Sequence, residues 1–216
     1  MSMVYKYFKS TSLNWQLSWQ QKSFRYKLLA GIFLITIILI CSPYFFQYME
    51  NRKGLLFNDA LLNLIPAYNV YILIFILIWS SAFFMLITII KNPSIFLTFL
   101  IAYLLLSILR ALSIFLFPLE APLGIINLID PLTNYFYGVP FITKDLFFSG
   151  HVSMLFLMYL CQNNKFIKYY TLTSCLCVGI LVLIQHIHYS IDVLFAFPFA
   201  YICYGSAKYI TLNHGR

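Results

Sequence analysis

Charge is scarce in this chain. Only 9% of its 216 residues are Asp, Glu, Lys or Arg, and six of them are acidic, whereas a soluble domain is about 25% charged. That deficit excludes an ordinary water-soluble fold. Glycine and proline are also few, eight of each, which excludes collagen-like repeats and low-complexity linkers. The five cysteines, Cys41, Cys161, Cys175, Cys177 and Cys203, are odd in number and lie in or beside apolar runs, so they do not form a disulfide framework. Cys175 and Cys177 make a CxC with no ligand cluster near it in sequence, which reads as core packing rather than half a zinc site. Apolar surface is what the chain has in excess: 62% hydrophobic residues, 22 Phe and 17 Tyr, with mean hydropathy +0.86. Lipid must be its solvent.

The apolar runs are Leu28 to Phe46, Tyr68 to Ile90, Ser94 to Phe117, Leu146 to about Lys165, Tyr169 to Tyr189 and Ile191 to Ile210. A spanning helix needs about 20 predominantly apolar residues, so the pattern predicts an all-α, six-helix transmembrane bundle. The fourth run is the weakest. It has a histidine near its start and Gln162-Asn163-Asn164-Lys165 at its end. Residues 28–210 form one membrane domain, preceded by a polar, interfacial segment 1–27 and followed by a tail 211–216. Lys6, Lys9, Lys22, Arg25 and Lys27 precede the first run with no AxA-like cleavage site, so that helix is expected to stay as an uncleaved anchor. Leu13, Trp15, Leu17 and Trp19 alternate with polar residues at a strand period, yet Trp beside a span reads better as an interfacial anchor.

Six spans put both termini on one side. Ten basic residues then fall on that side and four, Arg52, Lys53, Arg110 and Lys144, on the other, so the positive-inside rule expects both termini in the cytoplasm. Glu50, Asp59, Glu120, Asp130, Asp145 and Asp192 all fall on or near the opposite, exoplasmic face. The net charge of +8 suits a cytoplasmic leaflet rich in anionic lipid, and no feature calls for nucleic acid. A short chain with small loops fits a bacterial inner membrane, with the Golgi or endoplasmic reticulum as the eukaryotic equivalent. A homo-oligomer is left open.

Ionisable side chains in or at the rim of a span are costly and mark function by default. His151, His188, Asp192 and Arg110 stand out. His151 opens the fourth run after Ser149-Gly150, and His188 lies at the end of the fifth, in the stretch His188 to Val193 that joins it to the sixth, so both reach one face in a six-span chain. The rises differ: about 21 Å from His151 to the turn near Lys165, about 30 Å from Lys168 to His188. A tilted helix or a recessed His151 must absorb the difference of about 9 Å. If the segment is helical, the i, i+4 spacing puts His188 and Asp192 on one face, where the carboxylate would orient the imidazole as the acid of a catalytic triad does.

Two such histidines suit phosphoryl transfer from a lipid phosphoester: His188 attacks phosphorus, while His151 protonates the departing alcohol and then deprotonates the acceptor. Ser149, Gly150 and nearby amides at a helix start can hold phosphate oxygens, and Arg110 can supply a fixed positive charge. The bland reading makes His151 and Arg110 ordinary interfacial residues. A metal site built from His186, His188 and Asp192 is the other rival, but two helical positions two apart point about 200° from each other. Chemistry without metal or cofactor is therefore expected. His214, in the polar tail, reads as a solvated residue.

The stretch Lys144-Asp145-Leu146-Phe147-Phe148-Ser149-Gly150-His151, followed by His188-Tyr189-Ser190-Ile191-Asp192-Val193, resembles the sphingomyelin synthase family, a branch of the type-2 phosphatidic acid phosphatase superfamily. Arg110 followed by Phe117-Pro118 is similar to the family's arginine-to-proline motif. The resemblance implies a catalytic triad of His151, His188 and Asp192, with Arg110, Lys144, Asp145, Ser149, Gly150 and Tyr189 around the substrate. It also implies an exoplasmic site, no metal, and membrane phospholipid and lipid-alcohol substrates such as ceramide or diacylglycerol. Lipid-phosphate hydrolysis and non-catalytic lipid binding are the alternatives. The chain departs from the family pattern at Thr143-Lys144, where Cys-Gly is usual, and at Val152, where Thr is usual. It also has no clear KxxxxxxRP motif of the superfamily's hydrolytic members, which favours the transferase branch.

Overall fold

The computed structural model describes residues 2–126 and 142–212, with side chains from residue 11 onward. Asp130, His214 and Arg216 lie outside the described residues. The described residues form seven α-helices: α1 (Ser2–Gln20), α2 (Lys22–Asn51), α3 (Tyr71–Lys91), α4 (Pro93–Leu116), α5 (Gly150–Cys161), α6 (Lys165–Ile184) and α7 (Ser190–Leu212). A 3₁₀ turn spans Leu62–Leu64, and an isolated bridge joins Leu55 to Leu119.

Five of the helices, α2, α3, α4, α6 and α7, are long and apolar enough to cross a membrane, as in a multi-pass membrane protein. The fourth of the six predicted spans is shorter than its apolar run. It has 12 residues, about 18 Å of helix against a hydrocarbon core of about 30 Å. Its ends are set locally: Ser149 caps the start by accepting from the Val152 N–H, and the polar Gln162-Asn163-Asn164 closes it, with Asn164 capping α6 through the Ile167 N–H.

The alternating Leu and Trp residues near the N-terminus lie on α1 rather than on a strand. Trp15 donates Nε1–H to Ile90 O at 2.6 Å and packs on Phe24 and Phe96, which pins α1 under the bundle. α2 starts at Lys22, before the apolar run begins, because Lys22, Arg25 and Lys27 are good helix formers.

Proline marks three helices differently. Pro93 opens α4 at a position where its missing N–H costs nothing, and α4 stops two residues short of Pro118. Pro43 sits inside α2, so Leu39 O loses its N–H partner from four residues on. The Ser42 hydroxyl replaces it, donating to Leu39 O at 2.9 Å, the local repair a helix in lipid requires.

The centre of the bundle is α4, which packs on α2, α5 and α7, while α5 also packs on α6 and α7. Small buried residues, Ala102 on α4 and Ala196, Ala200 and Ala207 on α7, let those helices approach closely. Interhelical hydrogen bonds add to this: Thr88 donates to Gln162 at 2.9 Å, and Ser80 and Tyr170 share one at 2.6 Å. Lys27 Nζ donates to Ile210 O, and Thr98 pairs with Thr211, so the starts of α2 and α4 and the end of α7 share one end of the bundle. At the other end, Arg52 donates to Phe115 O at 2.6 Å, and there the connecting segments gather.

Candidate active site

The site begins where α5 and α7 start side by side. The Ser149 N–H donates to Asp192 O at 3.0 Å, which fixes the two helix starts at one level. His151 occupies the second position of α5. Asp192 lies in the first turn of α7 and is fully buried, where the helix dipole favours its negative charge.

His188 reaches this level by a reversal of the chain. α6 ends at Ile184; His186 follows with φ +56°, its N–H bonded to Leu183 O and the Ile187 N–H to Val182 O. This is a Schellman end with histidine where glycine is usual. A Cβ on Gly179 would meet Val193 and Val152 at 3.3 and 3.9 Å, so Gly179 is level with the starts of α5 and α7. α6 runs five residues farther, about 7.5 Å, before the chain turns back. The helical-rise mismatch is absorbed in that way, with His151 recessed. His188 and Asp192 do not share a helical face as the spacing suggested, since His188 lies in the turn before α7.

The outcome is a pair of imidazoles from separate segments, with ring centroids 6.0 Å apart and planes at 68°. His188 is 3% exposed, and its Nδ1 lies 3.4 Å from Asp192 Oδ2, which also accepts the Tyr189 N–H at 3.0 Å. With Nδ1 turned to the carboxylate, Nε2 is the nitrogen left for attack. Both histidines line a cavity of about 540 Å³, together with Arg110, Asp145 and Gly150 and an apolar wall from α2, α4 and α5.

Arg110 projects from α4 into the loop before α5. It donates Nε–H to Phe148 O at 3.1 Å and pairs with Asp145 Oδ1 at 2.6 Å. Its guanidinium lies flat against Gly150, where a Cβ would fall 2.5 Å from Cζ. Ser113, one turn along α4, holds the same loop by donating to Phe147 O at 2.7 Å.

Of the residues singled out in the sequence, His151, His188, Arg110, Asp145 and Gly150 therefore share one cavity. Asp192 stands behind His188. Ser149 is buried as the cap of α5. Lys144 faces the rim, donating to Arg52 O and pairing with Glu120 at 3.1 Å. Tyr189 is buried against Phe57, its hydroxyl donating to Glu120 O at 3.0 Å. Burial, with the Asp192, Asp59 and Glu120 carboxylates nearby, outweighs a backbone hydrogen bond and pushes its phenol above the usual range. His186 places its ring nitrogens 2.9 Å from Leu123 O and 2.8 Å from Ile65 O, so it does not join His188 and Asp192 around an ion. Among the described residues no His, Cys, Asp or Glu trio is placed to hold a metal.

Sequence reasoning did not assign the three carboxylates that frame the site. Glu50, at the end of α2, accepts the Thr143 N–H and hydroxyl at 3.0 and 2.5 Å and the Lys144 N–H. Asp59 accepts Ser190 N–H at 2.6 Å and the N–H groups of Leu61 and Leu62. Burial raises its pKa, but these hydrogen bonds outweigh it and hold the carboxyl below its ordinary value. Glu120 is held low by the Gly54 N–H and by Lys144. The available signal was their scarcity: the chain has six acids, and the sequence expects these three on one face.

No curated protein and no solved structure matches the chain. Residues 144–209, the segment that runs from the Arg110-bound loop through both histidines and Asp192, match the family described as the PAP2 superfamily C-terminal domain.

Proposed function

We propose that this chain is an integral-membrane lipid phosphotransferase, moving a phospho-head group from a glycerophospholipid to a lipid alcohol of the ceramide or diacylglycerol kind. The observation that carries the reading is the His151–His188 pair, 6.0 Å apart on one cavity wall, with Asp192 behind His188. A phosphorus atom placed between two rings at that spacing meets a nucleophile on one side and a proton donor on the other.

In the first half-reaction His188 Nε2 forms a bond to phosphorus, and the phosphorus–oxygen bond to diacylglycerol breaks. His151 gives its proton to the departing alkoxide. In the second, His151 takes the proton of the acceptor hydroxyl, whose oxygen attacks phosphorus while the phosphorus–nitrogen bond breaks and its electron pair returns to His188. Asp192 stabilises the positive charge that His188 carries in the phosphohistidine intermediate. Arg110 offers fixed donors to the phosphate oxygens. The distribution of basic residues along the chain supports a site on the exoplasmic side.

The test is a panel of head-group-labelled phospholipids given to the purified protein in vesicles, with and without ceramide or diacylglycerol. Label moving to the lipid alcohol, lost in His188→Ala and His151→Ala, supports the transferase. Label released to water as free phosphate or a phospho-head group makes the protein a hydrolase instead, and an inert panel overturns both in favour of a lipid-binding protein.

A further inference from the structure

The turn that carries His188 is held from outside its own helices. Residues 57–70, in the connection from α2 to α3, run alongside residues 184–190 and touch them at successive points. The Tyr68 N–H donates to Ile184 O at 3.0 Å, the Val70 N–H donates to Gln185 Oε1 at 3.3 Å, and Ile65 O lies 2.8 Å from His186 Nε2. Phe57 meets the Tyr189 ring edge-on, with centroids 5.5 Å apart. Asp59 closes the series. Its Oδ2 accepts the Ser190 N–H at 2.6 Å, its Oδ1 accepts the Leu61 and Leu62 N–H groups at 3.0 and 3.1 Å, and the Ser190 hydroxyl donates to the same carboxylate.

Two carboxylates therefore grip adjacent amides at the start of α7. Asp192 takes the Tyr189 N–H from the helix's own first turn, and Asp59 takes the Ser190 N–H from a separate loop. Their effects differ. Asp192 moves with α7, so its side chain fixes the relation of His188 to its own acid. The Ser149 N–H bond to Asp192 O sets the level of α7 against α5, and Asp59 ties the chain to the rim two residues nearer His188. Only a carboxylate suits this place: both oxygens accept, and an asparagine would turn an N–H donor toward another N–H. Asp59 is 4% exposed, and among the described residues it forms no ion pair with lysine or arginine. Hydrogen-bond donors alone offset its desolvation.

We propose that Asp59 is a positioning residue for the phosphoryl-transfer site: by holding the Ser190 amide, it keeps the His188 ring opposite His151, with Nε2 turned to the space between them. Its carboxylate acts on the backbone of Ser190, and the effect reaches His188 through Tyr189. The kinetic consequence rests on the transferase reading, whereas the placement of the ring is measurable without turnover.

The experiment uses the full chain in vesicles containing head-group-labelled phospholipid and ceramide. It compares the wild type with Asp59→Asn and with Gln162→Leu, which removes a buried hydrogen bond to Thr88 at the far end of the bundle. Label transfer gives kcat and KM, thermal unfolding gives stability, and magnetic resonance of isotope-labelled histidine gives the His188 ring signals, assigned by their absence from His188→Ala. Asp59→Asn should lower kcat about 100-fold, the usual result of a shift of about 1 Å in a reacting group, with KM unchanged. It should also shift or broaden the His188 signals. Gln162→Leu should lose stability and keep wild-type kcat and His188 signals. Ser190→Pro removes the bonded N–H from the other side, at a first helical position that tolerates proline, and should reproduce the loss of kcat even if Asp59→Asn does not fold. Wild-type kcat and unmoved His188 signals in Asp59→Asn would overturn the proposal, as would equal losses of kcat in Asp59→Asn and Gln162→Leu. A displaced His188 ring in Asp59→Asn beside an inert phospholipid panel would leave the positioning role standing and sink the transferase reading alone.

Discussion

Gly150 and Arg110 are in face-to-backbone contact, the guanidinium filling the space that any side chain at residue 150 would need. Glycine before the α5 histidine is thus explained by a cation rather than by a turn: the charge next to His151 depends on a missing methyl group. Arg110 is also tied to Phe148 O and Asp145, so it cannot step aside without losing both.

Gly150→Ala should therefore displace Arg110 and lower turnover about 100-fold, the usual penalty for a shift of about 1 Å in a positioned group. The melting temperature should fall as well, because the displaced guanidinium gives up Phe148 O and Asp145. Phospholipid turnover beside a thermal melt checks it; wild-type turnover would show that the guanidinium is not needed where it lies.

Asp192 is completely buried behind His188, so Asp192→Asn keeps the shape and removes the charge. A fall of about 10⁴-fold in kcat is expected if the acid orients and stabilises the attacking imidazole as in hydrolase triads. Trapping of phosphohistidine by rapid alkaline quench should fail in this variant and succeed in His151→Ala given a substrate with a good leaving group. Intermediate formed normally by Asp192→Asn would remove the acid from the first step.

His186 adopts a left-handed backbone and spends both ring nitrogens on loop carbonyls. His186→Ala keeps the backbone strain and loses the ring contacts, for a cost of about 1–3 kcal/mol. His186→Gly loses the same contacts but relieves strain, of about 1 kcal/mol. Thermal unfolding should rank wild type above His186→Gly and His186→Gly above His186→Ala; the reverse order of the variants would show that φ is not strained.

Acid should loosen the rim before the bundle. The Asp59 and Glu120 carboxyls are held below their ordinary values in the fold. Their stabilisation is complete above the unfolded values of about 3.9 and 4.3 and is lost as pH falls through the lower folded ones. Melting temperature should therefore drop below about pH 4, and Asp59→Asn should flatten much of that drop. An identical acid profile in the variant would count against the assignment.

Much of this architecture was legible from the chain, because lipid makes hydropathy decisive. The five long spans follow from apolar runs, and the closeness of His151 to His188 followed from counting helices. The rest depended on contacts that periodicity does not encode. α5 is short because Ser149 and Asn164 cap local turns, and Trp15 follows α1 because Ile90 O offers it a partner. The role of Asp59 was hidden because Ser190, whose N–H it accepts, is 131 residues away. Lys144 and Tyr189, grouped with the substrate residues by motif, both reach Glu120 at the rim.

The brevity of α5 has a physical cost. On the proposed reading, a 12-residue helix sets its capped start beneath the plane where phosphates normally rest, so a head group would shed part of its hydration to meet the imidazoles. Dehydration then becomes part of the activation barrier, and every nearby charge acts with less dielectric shielding. Bilayers of shorter-chain lipid, whose surfaces lie closer to that recess, should support faster reaction than thick ones.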